Sequence, residues 1–288
     1  MERISESLLG SLRSLQNIRY WMLAITAGCI AIHITLVWQT DDSSFLGVTL
    51  LFWGAIASLL WGRRHSLTFE SSGLASLAGF LILGVVLLKC ISVTGHFLRV
   101  TPFLFGVGLI LLASGFKGFR QYWKELTLSF FLGGHEVLLY FFIEFSELTA
   151  RLSTFLLWCL GLDVYRQGVN IHLPGGSVAV YSACSGLSLI AQLTGVAVLF
   201  LMTLYTQWSW LKGLLITLFA AGLAFFMNGI RVALMAVFVA SGNPETFDYW
   251  HAGQGSSLFS LFTVLIFLGI CWRLTCQTGT NSSQSTEA

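Results

Sequence analysis

The sequence predicts an all-α polytopic membrane protein of about eight transmembrane helices. Three observations carry that expectation. Only 10% of the 288 residues are charged, 15 Lys+Arg against 13 Asp+Glu, where a soluble domain carries about 25%. Hydrophobic residues make up 56% of the chain and the mean hydropathy is +0.80, too little polar material to cover a water-facing surface. Apolar runs recur at the roughly 20-residue length that a helix needs to cross a bilayer. Disorder is excluded, because it requires low hydrophobicity and high charge. The 29 glycines show no three-residue period, and 6 cysteines are ordinary for this length. The net charge of +2 argues neither for nor against a nucleic-acid partner.

The spans are read at about 20–38, 45–61, 74–91, 101–116, 126–143, 185–205, 213–230 and 257–273. They are long apolar runs rather than the short alternating segments of an outer-membrane barrel. The first lacks a small-residue cleavage site and is expected to act as its own insertion signal. Basic residues favour cytoplasmic loops. Arg3, Arg13, Arg19, Arg63, Arg64, Lys117, Arg120, Lys124, Lys212 and Arg273 all fall on one side if both termini are cytoplasmic. Lys89, Arg99, Arg151, Arg166 and Arg231 fall near the other face, and Asp41 and Asp42 lie in the first outer loop. The expected topology is N-in, C-in.

Residues 144–162 resist this scheme, because they carry Glu144, Glu147 and Arg151. A further full span here would invert every later loop, so a short outer-face amphipathic helix is predicted. Next, Val169–Leu173 alternates apolar and polar, Pro174-Gly175-Gly176-Ser177 breaks the run, and Val178–Tyr181 resumes it. That pattern predicts a β-hairpin just before the sixth span. The polar residues 276–288 read as a disordered cytoplasmic tail. No internal repeat supports a transporter-style two-fold.

Ionisable groups beside apolar spans are costly and are functional candidates by default. Cys184 stands where the hairpin meets span six. Arg231 lies about 18 residues into span seven, roughly 27 Å from its cytoplasmic start. His251 occupies the outer loop before span eight. A thiol, a guanidinium and an imidazole thus reach one leaflet from three segments. The thiolate is the reactive form of cysteine, favoured by a helix N-terminus or a nearby cation. A histidine can take the thiol proton and return it to a leaving amine. An arginine suits an oxyanion or a substrate carboxylate. Asn228 shares a helix face with Arg231, where its amide would orient the arginine or supply a second donor. Taken singly, each has a bland reading: Cys184 as a small buried hydrophobe, Arg231 as a snorkelling side chain, His251 as an ordinary loop residue.

Cys29, Cys90, Cys159, Cys271 and Cys276 have no polar company and read as structural. A nucleophile cannot be permanently paired, so Cys184 is expected free. His135-Glu136 begins like a zincin helix, but Leu139 stands where the second histidine should be. A buried hydrogen-bonded pair or a substrate-path element is expected there, and no metal or cofactor is predicted. Lys89 is placed to snorkel. Gly106-Val107-Gly108 and Gly133-Gly134 read as close-packing sites between helices.

The segment Val164-x-Arg166-x-Gly168, Ile171-x-Leu173-Pro174-Gly175-Gly176, Ala183-Cys184-Ser185-Gly186-Leu187, with Asn228-x-x-Arg231-Val232 and the later His251, resembles the exosortase/archaeosortase family. Within that family it also resembles a cyanobacterial subgroup, the cyanoexosortases, on fewer grounds. The resemblance covers residues 126–273 well and earlier spans only in hydropathy. It implies a four-helix membrane region at 1–125 and a catalytic membrane core at 126–275. It further implies a plasma-membrane cysteine protease or transpeptidase that cleaves exported proteins ending in a PEP-CTERM-type signal and anchor helix. Cys184 would be nucleophile, Arg231 charge stabiliser and His251 acid/base, with Arg166 and Asn228 binding substrate. The rival class is a multi-pass transporter using Arg231 and Glu136, with no need of a thiol.

Overall fold

The computed structural model describes residues 18–40, 42–92, 95–142, 144–203, 209–251 and 253–284. Arg3, Arg13, Asp41, residues 204–205 of the sixth predicted span and the side chain of Cys276 lie outside the described residues. Seven helices are long and apolar enough to cross a membrane, and an eighth is reached if Trp123–Phe141 and Ser146–Cys159 form one broken span. The all-α polytopic class therefore holds. Large apolar side chains such as Trp21, Trp61, Phe80 and Trp272 are more than half exposed, as expected of helices solvated by lipid tails rather than water.

The chain divides into two compact units, 1–137 and 138–288. In the first, α1 (Ile18–Trp38) packs on α2 (Ser43–Gly62), and α3 (Gly73–Lys89) packs along α4 (His96–Ser114). A short turn of helix leads to α5 (Trp123–Ser129), a π-helical turn (Phe130–Gly134) and α6 (His135–Phe142). Cys29, Leu83, Val86 and Phe105 form a core between α1, α3 and α4. The close-packing glycines behave as expected. A Cβ on Gly108 would lie 2.8 Å from the Leu83 side chain, and one on Gly133 2.6 Å from the Arg99 carbonyl oxygen.

The second unit begins inside α6 and continues with α7 (Ser146–Cys159). Its polar, charged face carries Glu147 and Arg151, while Ser146, Thr149, Ala150, Ser153 and Leu157 are buried. That stripe of small residues lets α7 pack closely on α9 (Trp210–Ala240), the usual geometry for helices within a membrane. A small antiparallel sheet follows, in the order β1 (Tyr165–Gln167), β2 (Asn170–Leu173), β3 (Gly176–Ala179).

The predicted hairpin is β2–β3, with two corrections. Gly176 and Ser177 are paired within the strand, opposite Leu173 and His172, so the turn is Pro174-Gly175 alone. Gly175 takes φ 106°, and a Cβ there would sit 2.5 Å from the Ala240 carbonyl oxygen; only glycine permits both. The hairpin also gains β1 as a third strand, its Tyr165 stacked on His172 with ring centroids 4.7 Å apart. Three residues are too few to show a period-two pattern in sequence.

Beyond the sheet, α8 (Leu187–Thr203) packs on α9, and the short α10 (Pro244–His251) bridges α9 and α11 (Gln254–Gln284). Two boundaries differ from the spans read in sequence. Helix α9 runs to Ala240 rather than stopping near 230, because the residues after Arg231 resume an apolar pattern that only Gly242, at φ 68°, ends. Helix α11 is span-length and apolar over Gln254–Leu274 and continues through polar residues to Gln284.

Candidate active site

The site is assembled in the second unit on α9. Residues Ser182–Cys184 form a 3₁₀ turn, closed by a hydrogen bond from the Cys184 N–H to the Tyr181 carbonyl (2.8 Å). Its exit is Gly186, at φ 87°. A Cβ there would lie 2.5 Å from Nδ2 of Asn228, so the Cys-Ser-Gly turn needs glycine for conformation and for space alike. Asn228 is fully buried, and its Nδ2 donates to the Cys184 carbonyl at 3.0 Å. From α7, the Thr149 hydroxyl donates to the Ser185 carbonyl at 2.7 Å. One turn further on, Ser153 donates to the Gly229 carbonyl at 2.9 Å. Two consecutive carbonyls of the turn are therefore held by side chains from two different helices.

These bonds aim the thiol. Cys184 is 7% exposed, packed with Ile171, Val180, Val232 and Ala236, and carries no disulfide. Its Sγ lies 3.2 Å from Nε2 of His251. That histidine ends α10, where its ring stacks on Phe247 one turn earlier, with centroids 5.1 Å apart. The Arg231 guanidinium closes the group. Its Nη2 donates to the His251 backbone carbonyl at 3.2 Å. Its Nε is buried with no hydrogen-bond partner among the described residues. A cation held this way supplies a donor for negative charge that develops beside the sulfur.

Residues 38–268 match the family model for the transmembrane exosortase (Exosortase_EpsH). The chain belongs to the transmembrane exosortase family. No curated protein and no solved structure matches it. Membership of the exosortases makes it, in general terms, a membrane enzyme of protein sorting, a protease or transpeptidase acting on exported proteins.

Of the residues singled out in sequence, the structure of this exosortase brings together Cys184, His251, Arg231 and Asn228. Arg166 stands apart on β1. It donates to the Gly168 carbonyl and lies 3.5 Å from the Glu147 carboxylate, which also accepts from Arg151 at 2.7 Å. Glu136 is bound elsewhere, accepting from Arg99 Nη1 at 2.5 Å in the first unit. Among the described residues no group of three or more His, Cys, Asp or Glu side chains could hold a metal ion. Sequence reasoning missed Thr149 and Ser153. Their signal was present as a helical stripe, Ser146-Thr149-Ala150-Ser153-Leu157, on the side of the amphipathic helix away from its charges.

Proposed function

We propose that the chain is a thiol-dependent sorting enzyme that cleaves the C-terminal PEP-CTERM-type signal of exported proteins. The observation that carries this reading is the 3.2 Å contact between Cys184 Sγ and His251 Nε2. It is the separation a nucleophile and its general base require.

In this reading Nε2 of His251 takes the Cys184 proton and the thiolate adds to the scissile carbonyl carbon. The oxyanion forms near Arg231, whose buried Nε–H is a donor without another partner. Such a fixed donor in a water-poor site stabilises developing charge far better than water does. The C–N bond then breaks, and the imidazolium returns its proton to the leaving amine. The exported protein stays on sulfur as a thioester, while the anchor helix is released into the bilayer. Water or a second nucleophile, its proton taken by His251, resolves the thioester and regenerates the thiol. Transfer to such an acceptor is the favoured outcome.

Asn228 acts through Cys184 rather than on the substrate, because its Nδ2 is already engaged with the Cys184 carbonyl. Arg166, on β1, would bind an acidic side chain of the signal running along the sheet edge by exchanging its Glu147 contact for it. The basic-residue bias supports N-in, C-in insertion in the plasma membrane with the site on the extracytoplasmic face. Residues 126–275 would form the catalytic core. A cyanobacterial, cyanoexosortase-like substrate range fits the same motifs.

Co-expression with a PEP-CTERM protein tests the reading. Wild type shortens the substrate by its anchor, and Cys184→Ala at equal membrane abundance leaves it full length. Shortening by Cys184→Ala ends the cysteine mechanism. A wild type that never shortens any such substrate ends the assignment of this signal.

A further inference from the structure

The histidine of the active site sits on a short helix whose start is fixed by its own sequence. Asn243 precedes α10, and its Oδ1 accepts from the Thr246 N–H at 3.2 Å, the usual cap of a helix N-terminus. Pro244 takes the first helical position, where its missing N–H costs nothing. The Phe247 N–H then donates to the Asn243 carbonyl at 3.2 Å. That start sets the phase of the helix, so Phe247 and His251, four residues apart, fall on one face. Their rings lie nearly parallel, with 13° between the planes and 5.1 Å between centroids.

Helix α10 contributes no buried residue, so no close-packed core confines the imidazole. Its main chain is held, because the His251 carbonyl accepts from Arg231 at 3.2 Å. That bond leaves the side-chain torsions free to turn, and χ2 of a histidine has only a broad preference. A histidine paired with a nucleophile commonly has its second ring nitrogen held by a third polar group. Among the described residues none bonds Nδ1 of His251. Phe247 instead covers one face of the imidazole and also packs against the apolar cluster around Cys184. It ties the ring that takes the proton to the surroundings of the sulfur that gives it. A stacked pair of rings resists tilting of either. The contact outlasts the proton transfer, because an aromatic face also attracts a cation.

We infer, on the thiol–imidazole reading of the site, that Phe247 is a positioning residue: its ring face, in place of a third polar side chain, holds the His251 imidazole with Nε2 toward Cys184. Phe247 acts through His251 and not on the substrate.

Cleavage of a PEP-CTERM protein is followed in proteoliposomes over a range of substrate concentrations. Rates are taken per folded enzyme, with thermal unfolding recorded in parallel. Phe247→Leu keeps an apolar side chain against the Cys184 cluster but has no ring face. It should lower kcat about tenfold with KM changed by less than about twofold. Phe247→Tyr restores the face and should return kcat to within about twofold of wild type. In a His251→Ala background, Phe247→Leu should cost nothing further, because groups that act as one unit are not additive. Should Phe247→Leu not fold, Phe247→Met carries the same expectation. With His251→Ala impaired, a wild-type kcat in Phe247→Leu would make Phe247 a packing residue only, and would overturn its role while leaving the thiol–imidazole pair standing. A rise in KM at constant kcat would make it a substrate contact, and an equal loss in both backgrounds would make it a support of the fold at large; either result overturns the role. Full activity of His251→Ala would end the thiol–imidazole reading, and the role of Phe247 with it.

Discussion

The sulfur of Cys184 and the Nε2 of His251 meet at 3.2 Å although 67 residues separate them. Both are referred to a single helix. Asn228 of α9 holds the Cys184 carbonyl, and Arg231, on the same face of α9, holds the carbonyl of His251. Helix α9 is thus the ruler that sets the distance between nucleophile and base.

Groups that work as one unit are not additive when removed. His251→Ala should lower cleavage about 10²- to 10⁴-fold, and Cys184→Ala should bring it to the detection floor. The double variant should be no worse than Cys184→Ala alone. Initial rates on one co-reconstituted substrate, normalised to folded enzyme, provide the check. Full activity of His251→Ala would remove the histidine from the mechanism.

Arg231→Lys separates charge from geometry. Lysine keeps the positive charge but has one terminal nitrogen, and it cannot donate to the His251 carbonyl while also presenting a donor at the position of Nε. Arg231→Lys is therefore expected to lose nearly as much cleavage as Arg231→Ala, by at least about 10²-fold. Near-wild-type rates in Arg231→Lys would show that the charge alone matters.

How much of this was legible in the sequence follows from what sequence can encode. Spans, the β2–β3 hairpin and the convergence of Cys184, Arg231 and His251 were readable, because hydropathy, turn residues and scarce polar groups are local signals. The roles of Asn228 and Thr149 were not. Each acts by donating to a backbone carbonyl, and every residue carries that acceptor, so nothing in the sequence marks Cys184 and Ser185 as their targets. The partner of Glu136 was hidden for a similar reason. Arg99 looked like one more outer basic residue, and only the packing of α4 shows that its charge is spent inside the protein.

The two donors to the active-site turn make a paired prediction. Thr149→Val keeps the volume but leaves the buried Ser185 carbonyl unpaired, and Asn228→Ala does the same to that of Cys184. Each should cost about 1–3 kcal/mol of stability. Thr149→Ser, which retains the hydroxyl, should restore most of it. A positioning role further requires that Asn228→Ala lower kcat with KM changed less than twofold. A large rise in KM at constant kcat would instead make Asn228 a substrate contact.

The first unit offers a contrasting case in Arg99, which sits between two carboxylates, at 2.5 Å from Glu136 and 3.7 Å from Asp42, with its guanidinium over the Phe45 ring. Charges of opposite sign taken out of water together are tolerable, and removing one leaves the other poorly compensated. Arg99→Met should therefore destabilise the protein by roughly 2–3 kcal/mol, below the roughly 3–5 kcal/mol of a fully buried pair, because both side chains are partly exposed. The double variant Arg99→Met with Glu136→Leu should recover much of that loss. Cleavage per folded molecule should stay near wild type throughout, since this pair belongs to the scaffold. If Glu136→Leu alone abolished turnover while the unfolding midpoint stayed put, Glu136 would lie on the substrate's path, and the pair would have to be counted with the chemistry instead.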